Sequence, residues 1–543
     1  MKRESRQDNP DGIRIELSEY SDYFLKSLSE IKQRNIDPDA QTLSVSQTVS
    51  FFAILYEKIR NAVEFREEHL IRRAAIERIL SRRLALNPSG QNEAENLIRE
   101  LMWARYIPPD SITINEIDDY QSIIDRYLDL KHQVLSGRSL GFKQRLAQYI
   151  NDFLTCELEE ELNTDKTQKK AAFLHYFYQV LNKKIAIDGI TDEELNSYFY
   201  VSCEAAFAKN DIAYTRYHLM QLQFDRINEL SRKQYELLVH NFENIVTHID
   251  KIINNPFHDR LNRFTKRQVP PFLILFSIID RYPKNIRQIL TNKTELWNKV
   301  DEICRSKYQE TSLKLRNAAI RSIIYIFLTK AVFALLLEYP LSKWLYGAIH
   351  WYPLAINSIF PVLLMGLIVS FVRIPGSKNT KKINERVVNI LNKDPGYETS
   401  KNFIAKKAKQ RRPFLLLGFT TFYLFTFGAT FMTIYMMLAQ LGFNPIGMIV
   451  FIFFVSLVAF FGYRIRQTTK EYTLADKPGV LSPIVDFFFV PILFLGKFLS
   501  SEIAKLNVFI LIFDFFIEAP FKLISEIVEE WINFVRARKE EIL

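Results

Sequence analysis

Apolar positions along the chain follow two regimes. Through the first 317 residues they recur at helical spacing among charged and polar residues, whereas two stretches, Ile320 to Val372 and Phe414 to Tyr463, are apolar with little interruption. A helix with an apolar stripe buries that stripe against other helices; one apolar around its whole circumference suits a hydrocarbon layer. The expected fold class is all-α: a large cytosolic helical domain followed by a four-helix multi-pass membrane region and C-terminal amphipathic helices. The boundaries are a helical arm over 1–317, a transmembrane hairpin over 318–372, a basic cytosolic loop over 373–412, a second hairpin over 413–466, and interfacial or re-entrant helices over 482–543.

Within the arm, turn residues punctuate the helices. One helix runs from Ile13 to Arg34 and stops at IDPDAQ; a long one runs from about Ser44 to Leu86 and stops at NPSGQN. Further stops are YIPPDS near Tyr106, SGRSLG near Ser136, DGITDEE near Asp188, NNPFHD near Asn254 and RYPKN near Arg281. Thr113 with Glu116 and Thr191 with Glu194 have the spacing of capping boxes. No strand alternation with hairpin turns stands out, and no repeat period is visible. The most charged stretch, Glu64 to Leu84, offers Glu68 with Arg72 and Arg73 with Glu77 at i,i+4, and Ile71, Ala75, Ile79 and Leu80 as an apolar stripe. Its interleaved acids suggest a solvated, salt-bridged helix rather than an Arg-rich surface for phosphates or an acidic partner.

The first span, Ile320 to Leu337, is bounded by Arg321 and Glu338 and interrupted by Lys330; EYPLSKWLYGAIHWYP then reads as an interfacial turn rich in aromatic residues. Leu354 to Val372, containing Pro361, is the second span. Phe414 to Ala439 and Ile446 to Tyr463 are the third and fourth, joined by GFNPIG. Between Arg373 and Arg412 twelve Lys and Arg face three acids, a net +9 in a chain of +10. Positively charged loops stay inside, so four spans with both termini cytosolic, in the plasma membrane, is the expected topology. The start MKRESRQDNPDG has no apolar segment of signal-peptide type, so the first span is expected to serve as the insertion signal.

Charge and candidate chemistry narrow the reading further. The arm is near neutral once the loop is set aside, so no nucleic-acid partner is expected. Cys156, Cys203 and Cys304 are scattered without pairing motifs and are expected to be reduced and buried. His69, His132, His175, His218, His240, His248 and His258 are dispersed, with no HExxH, and are expected to be ordinary surface or packing residues. LGKFLSS around Lys497 lacks the upstream glycine of a phosphate loop. The chain is therefore expected to be no enzyme and to bind no cofactor or metal.

Lys330 is the one charge deep in a span, and the acids of the apolar tail helix, Asp514 and Glu518, are its expected ion-pair partners. Lys406, Lys407, Lys409, Arg411 and Arg412 cluster just before the third span, as a contact for anionic lipid headgroups requires. In the tail, Ser482 to Leu499 is divided by Pro491 and reads as too short to span, and Phe521 to Leu543 reads as an amphipathic helix. The functional expectation is a membrane-held scaffold whose arm docks a protein partner, with homo-oligomerisation open. The alternative is a channel or transporter subunit with a pathway near Lys330, Asn357 and Pro361.

Overall fold

The computed structural model describes residues 14–31, 40–45, 50, 53–54, 57, 67–137, 139–346, 351–394, 401, 403–406, 413–474 and 482–505, with isolated positions at 527, 531, 534–535 and 538. Most of these are helical, with almost no strand, and the chain falls into two compact units: Ser18–Lys266 with Asp394–Ala405 and Asp514–Leu543, and Met1–Leu17 with Arg267–Lys393 and Lys406–Phe513.

The first unit contains α1 (Glu19–Glu30), α2 (Glu68–Leu86), α3 (Glu93–Trp103), α4 (Ile114–Leu135), α5 (Leu140–Leu162), α6 (Thr164–Asn182), α7 (Asp192–Cys203), α8 (Ile212–Gln221) and α9 (Arg232–Ile253). α10 (His258–Arg281) contains the division between the units. α5 is the hub, packed against α2, α4 and α8. Its Leu146, Tyr149, Ile150, Phe153 and Leu158 join Ile76, Ile79, Leu80, Ile124, Tyr127 and Phe242 in one continuous core. The stops from NPSGQN onward separate elements here, while IDPDAQ lies largely outside the described residues; both capping boxes are formed, and Ser231 with Gln234 makes a third.

Three local expectations are corrected. Glu67 is extended (φ −66°, ψ 152°), so no single helix runs from 44 to 86. Residues 14–17 pair with Asn292 and Asn392 as extended chain instead of joining α1. β1 (Ile185–Asp188) pairs with β2 (Phe403–Lys406), a contact distant in sequence that no hairpin signal announces.

The second unit contains α11 (Ile286–Thr291), α12 (Lys293–Phe333), α13 (Tyr339–Tyr346), α14 (Trp351–Ser370), α15 (Ser377–Leu391), α16 (Pro413–Gln440), α17 (Pro445–Thr468) and α18 (Ser482–Lys505). A π-turn, Ala334–Glu338, joins α12 to α13 without ending the helix, so the turn expected from Glu338 onward does not begin there. Pro340 follows the π-turn directly, inside the continuous helix. Likewise α18 runs unbroken through Pro491, against the division expected there.

Four helices are long and apolar enough to cross a membrane: Lys293–Leu345, Trp351–Ser370, Leu417–Gln440 and Pro445–Gln467. Most of their apolar surface faces outward. α17 is the exception, with half its apolar window buried against α12, α14 and α18. α15, within the basic loop, lays Ile383, Val387, Ile390 and Leu391 inward and packs on α12. Its Asn379 is fully used: Nδ2 donates to Tyr308 Oη and the Tyr472 carbonyl, both at 2.8 Å, and Oδ1 accepts from Leu474 N at 2.9 Å.

Candidate functional site

Each unit holds a buried polar cluster. In the arm, α5 turns Asp152, Glu157, Glu159 and Glu160 inward, and a buried carboxylate persists only when paired and hydrogen-bonded. α2 supplies the counter-charges. Arg72 Nε and Nη2 both donate to Glu159 Oε1, at 2.8 and 2.5 Å, and Tyr214 Oη donates to Glu159 Oε2 at 2.6 Å. Arg73 donates to Asp211 Oδ2 at 2.8 Å and to Thr155 Oγ1 at 3.3 Å. The i,i+4 pairs with Glu68 and Glu77 exist at 3.2 and 3.4 Å, yet Arg72 and Arg73 are buried. The solvated helix expected from sequence is thus an interior helix.

His218 lies between two carboxylates, Nε2 2.7 Å from Glu160 Oε1 and Nδ1 3.0 Å from Glu204 Oε2. Burial disfavours its charge, but the two carboxylates outweigh burial and push its pKa up to about 10. It is an imidazolium that donates to both. Glu204 opens a second π-turn, Glu204–Ala208, which ends at Lys209 in the left-handed region (φ 54°). This detour lets Asn210 Nδ2 donate to Glu204 while Asn210 Oδ1 accepts from Lys170 Nζ at 2.9 Å and lies 2.9 Å from His69 Nε2. Burial and then the Lys170 ammonium lower the His69 pKa to about 4. Tyr127 Oη donates to Glu157 at 2.7 Å; burial nevertheless raises that carboxyl to about 7. The network joins α2, α5, α6, α8 and the π-turn by directional bonds, which specifies one register for the helices. Among the described residues no group of three or more His, Cys, Asp or Glu is arranged to hold a metal.

In the second unit, Lys330 Nζ lies 3.1 Å from Glu338 Oε2, and both side chains are buried. Eight residues on an ideal α-helix turn a side chain about 80° away from the first. The π-turn inserts one extra residue, so the eight-residue separation behaves as roughly seven, two full turns, and the acid returns to the lysine's face. Asn357 Nδ2 of α14 donates to Glu338 Oε1 at 2.5 Å and to the Gly447 carbonyl of α17 at 3.3 Å. Asn444 caps α17 through Gly447 N at 2.7 Å and donates to Ser342 Oγ at 3.0 Å. Phe454 closes the site, its ring centre 4.9 Å from the ammonium. A cavity of about 20 Å³, room for one water, borders Glu338, Ser342, Asn444 and Gly447.

The residues singled out from sequence are distributed unevenly. Lys330, Asn357 and Pro361 are all buried in the second unit. Asp514 and Glu518, the expected partners of Lys330, lie outside the described residues, as do Lys407, Lys409, Arg411 and Arg412; Lys406 ends β2. The acid that does pair with Lys330 is Glu338, which the sequence reading placed at the span boundary. His69 and His218, read as dispersed, enter one network through partners up to 141 residues away, for which no local spacing gives a signal. All three cysteines are free and buried. Comparison with protein-family models, with curated proteins and with solved structures finds no match for this chain.

Proposed function

We propose that the chain is a multi-pass plasma-membrane protein whose four apolar helices hold a cytosolic helical arm, and that the arm works as a docking or scaffold module, not as an enzyme. The observation that carries the membrane reading is the outward face of those helices. Leu328, Leu336, Leu363, Phe419, Phe425 and Ile449 are each more than half exposed. In water such a surface aggregates; among acyl chains it is satisfied. The polar node at Lys330 is enclosed among these helices, as an ionisable pair in hydrocarbon has to be. In the arm, the buried acids and bases are spent on one another, which supports a rigid binding module over a reactive cleft.

The basic loop is assigned to the cytosol, where it contacts anionic headgroups. Cysteine labelling tests this arrangement. The three native thiols are buried, so the background is low. Asn379 is buried and bonded, so Ser377→Cys is the better reporter for the loop, with Gln440→Cys for the opposite turn; both positions are exposed. Impermeant maleimide added to intact cells should label position 440 and spare 377; the reverse pattern overturns the topology. A second reading, a pathway along Lys330, Asn357 and Pro361, draws on the cavity beside Glu338, whose volume holds a single water.

A further inference from the structure

α18 carries the furthest inference. It is a helix of 24 residues, about 36 Å at 1.5 Å per residue. Its neighbours are α17 and α16. At Gly496 the approach to α17 is backbone to backbone: a Cβ built there would lie 2.1 Å from the Ser456 carbonyl oxygen and 2.7 Å from Phe460 Cβ, so only glycine fits. Close approach through a small residue is how helices associate where no water drives them together. Ser456 lies midway along α17, so the contact fixes the depth of Gly496 at the middle of that helix. The opposite side of α18 presents Phe494 and Phe498, 57 and 52% exposed. Lys497 is the single charge from Phe489 to Ser500 and is exposed; its four-carbon stem lets the ammonium run along the helix away from the apolar middle.

The geometry points to α18 as a fifth membrane-inserted helix, wedged between α16 and α17 down to the bilayer midplane, with acyl chains covering its Phe494 and Phe498 face. This rests on the proposed membrane reading of α16 and α17. An interfacial helix lies flat at the headgroups. A helix whose backbone touches the midpoint of a spanning helix cannot do so.

The test uses the full chain in phosphatidylcholine vesicles, with an environment-sensitive fluorophore on Phe494→Cys, on Phe498→Cys and, as a control on α16, on Phe425→Cys. Nitroxides are placed either deep on the acyl chain or at the headgroup. The inference expects greater loss of fluorescence with the acyl-chain nitroxide than with the headgroup nitroxide at all three positions. Stronger headgroup quenching at 494 and 498, with acyl-chain quenching at 425, overturns the wedge and leaves the four-span reading standing. Headgroup or aqueous quenching at 425 as well means that the membrane reading itself has failed. Protection of 494 and 498 from both nitroxides would show a second protein surface there and overturn the lipid assignment. Adding Gly496→Leu should move the 494 label toward the headgroup; the single-label depths decide the matter even if that variant does not fold.

Discussion

Replacing Lys330 by Met removes the ammonium but keeps an unbranched side chain of similar volume, so packing against Phe454 is largely preserved. What remains is Glu338, buried, with one hydrogen bond from Asn357 Nδ2 and no counter-charge. Breaking a buried pair from one side typically costs about 3–5 kcal/mol, because the surviving charge is stranded or has to take up a proton. At roughly 2–4 °C per kcal/mol for a unit of this size, the melting point of the detergent-solubilised or nanodisc-held protein should fall by about 6–20 °C. Glu338→Gln restores balance in the Lys330→Met background, since the amide oxygen still accepts from Asn357. The double variant should therefore recover at least about 1 kcal/mol relative to additivity of the two singles. Thermal unfolding followed by fluorescence-detected size exclusion reads all four proteins at matched scan rates. A Lys330→Met protein that melts within about 2 °C of the parent, or a double variant equal to the sum of the singles, refutes the clamp.

In the arm, His218 binds its proton in the folded state up to about pH 10 and in the unfolded chain only to about 6.5, so the folded state holds the extra proton between these values. The stabilisation is complete below pH 6.5 and is lost as pH rises through 10. Urea titrations at pH 7 to 10 should show a slope, up to about 1.4 kcal/mol per pH unit, that is shallower in His218→Gln; equal slopes would exclude the imidazolium. Arg72→Ala strands Glu159 and should cost about 3–5 kcal/mol in the same assay, with Arg72→Lys recovering only part because the two-nitrogen grip on Oε1 is lost. A loss under about 1 kcal/mol in Arg72→Ala would place that arginine in solvent. Asn379→Ala leaves Tyr308, the Tyr472 carbonyl and Leu474 N without their shared partner and should cost about 1–3 kcal/mol in the thermal assay; no change would show the Asn379 contacts to be incidental.

Features encoded locally were legible in the sequence, and features completed at a distance were not. The stops at Asn87, Pro108, Ser136, Gly189, Pro256 and Pro283 are written in or beside Pro, Gly and Asn, and a helix ends or begins within a few residues of each. Four apolar helices follow from composition alone. The break at Asn163 has no such residue pair to mark it, and the left-handed Lys209 is a conformation lysine rarely adopts, so both escaped notice. Arg72 looked solvated because its visible partner, Glu68, is four residues away, whereas the one that buries it, Glu159, is 87 away. Glu338 looked like a boundary because on a regular helix it faces away from Lys330; the π-turn that reverses this has no signature in ALLLE.

The helix from Lys293 to Leu345 is a single unbroken rod of 53 residues, about 80 Å long against a hydrocarbon layer of about 30 Å. On the proposed membrane reading, its polar half, from Lys293 to the first apolar residues near Ile320, would extend some 40 Å beyond the layer, packed against α11 and α15. A tilt of about 10° at the π-turn, roughly 60 Å from Lys293, would swing that tip by about 11 Å. On that reading, a displacement of the polar half would reach the apolar half through one continuous helix, with the π-turn as the place where the two can bend.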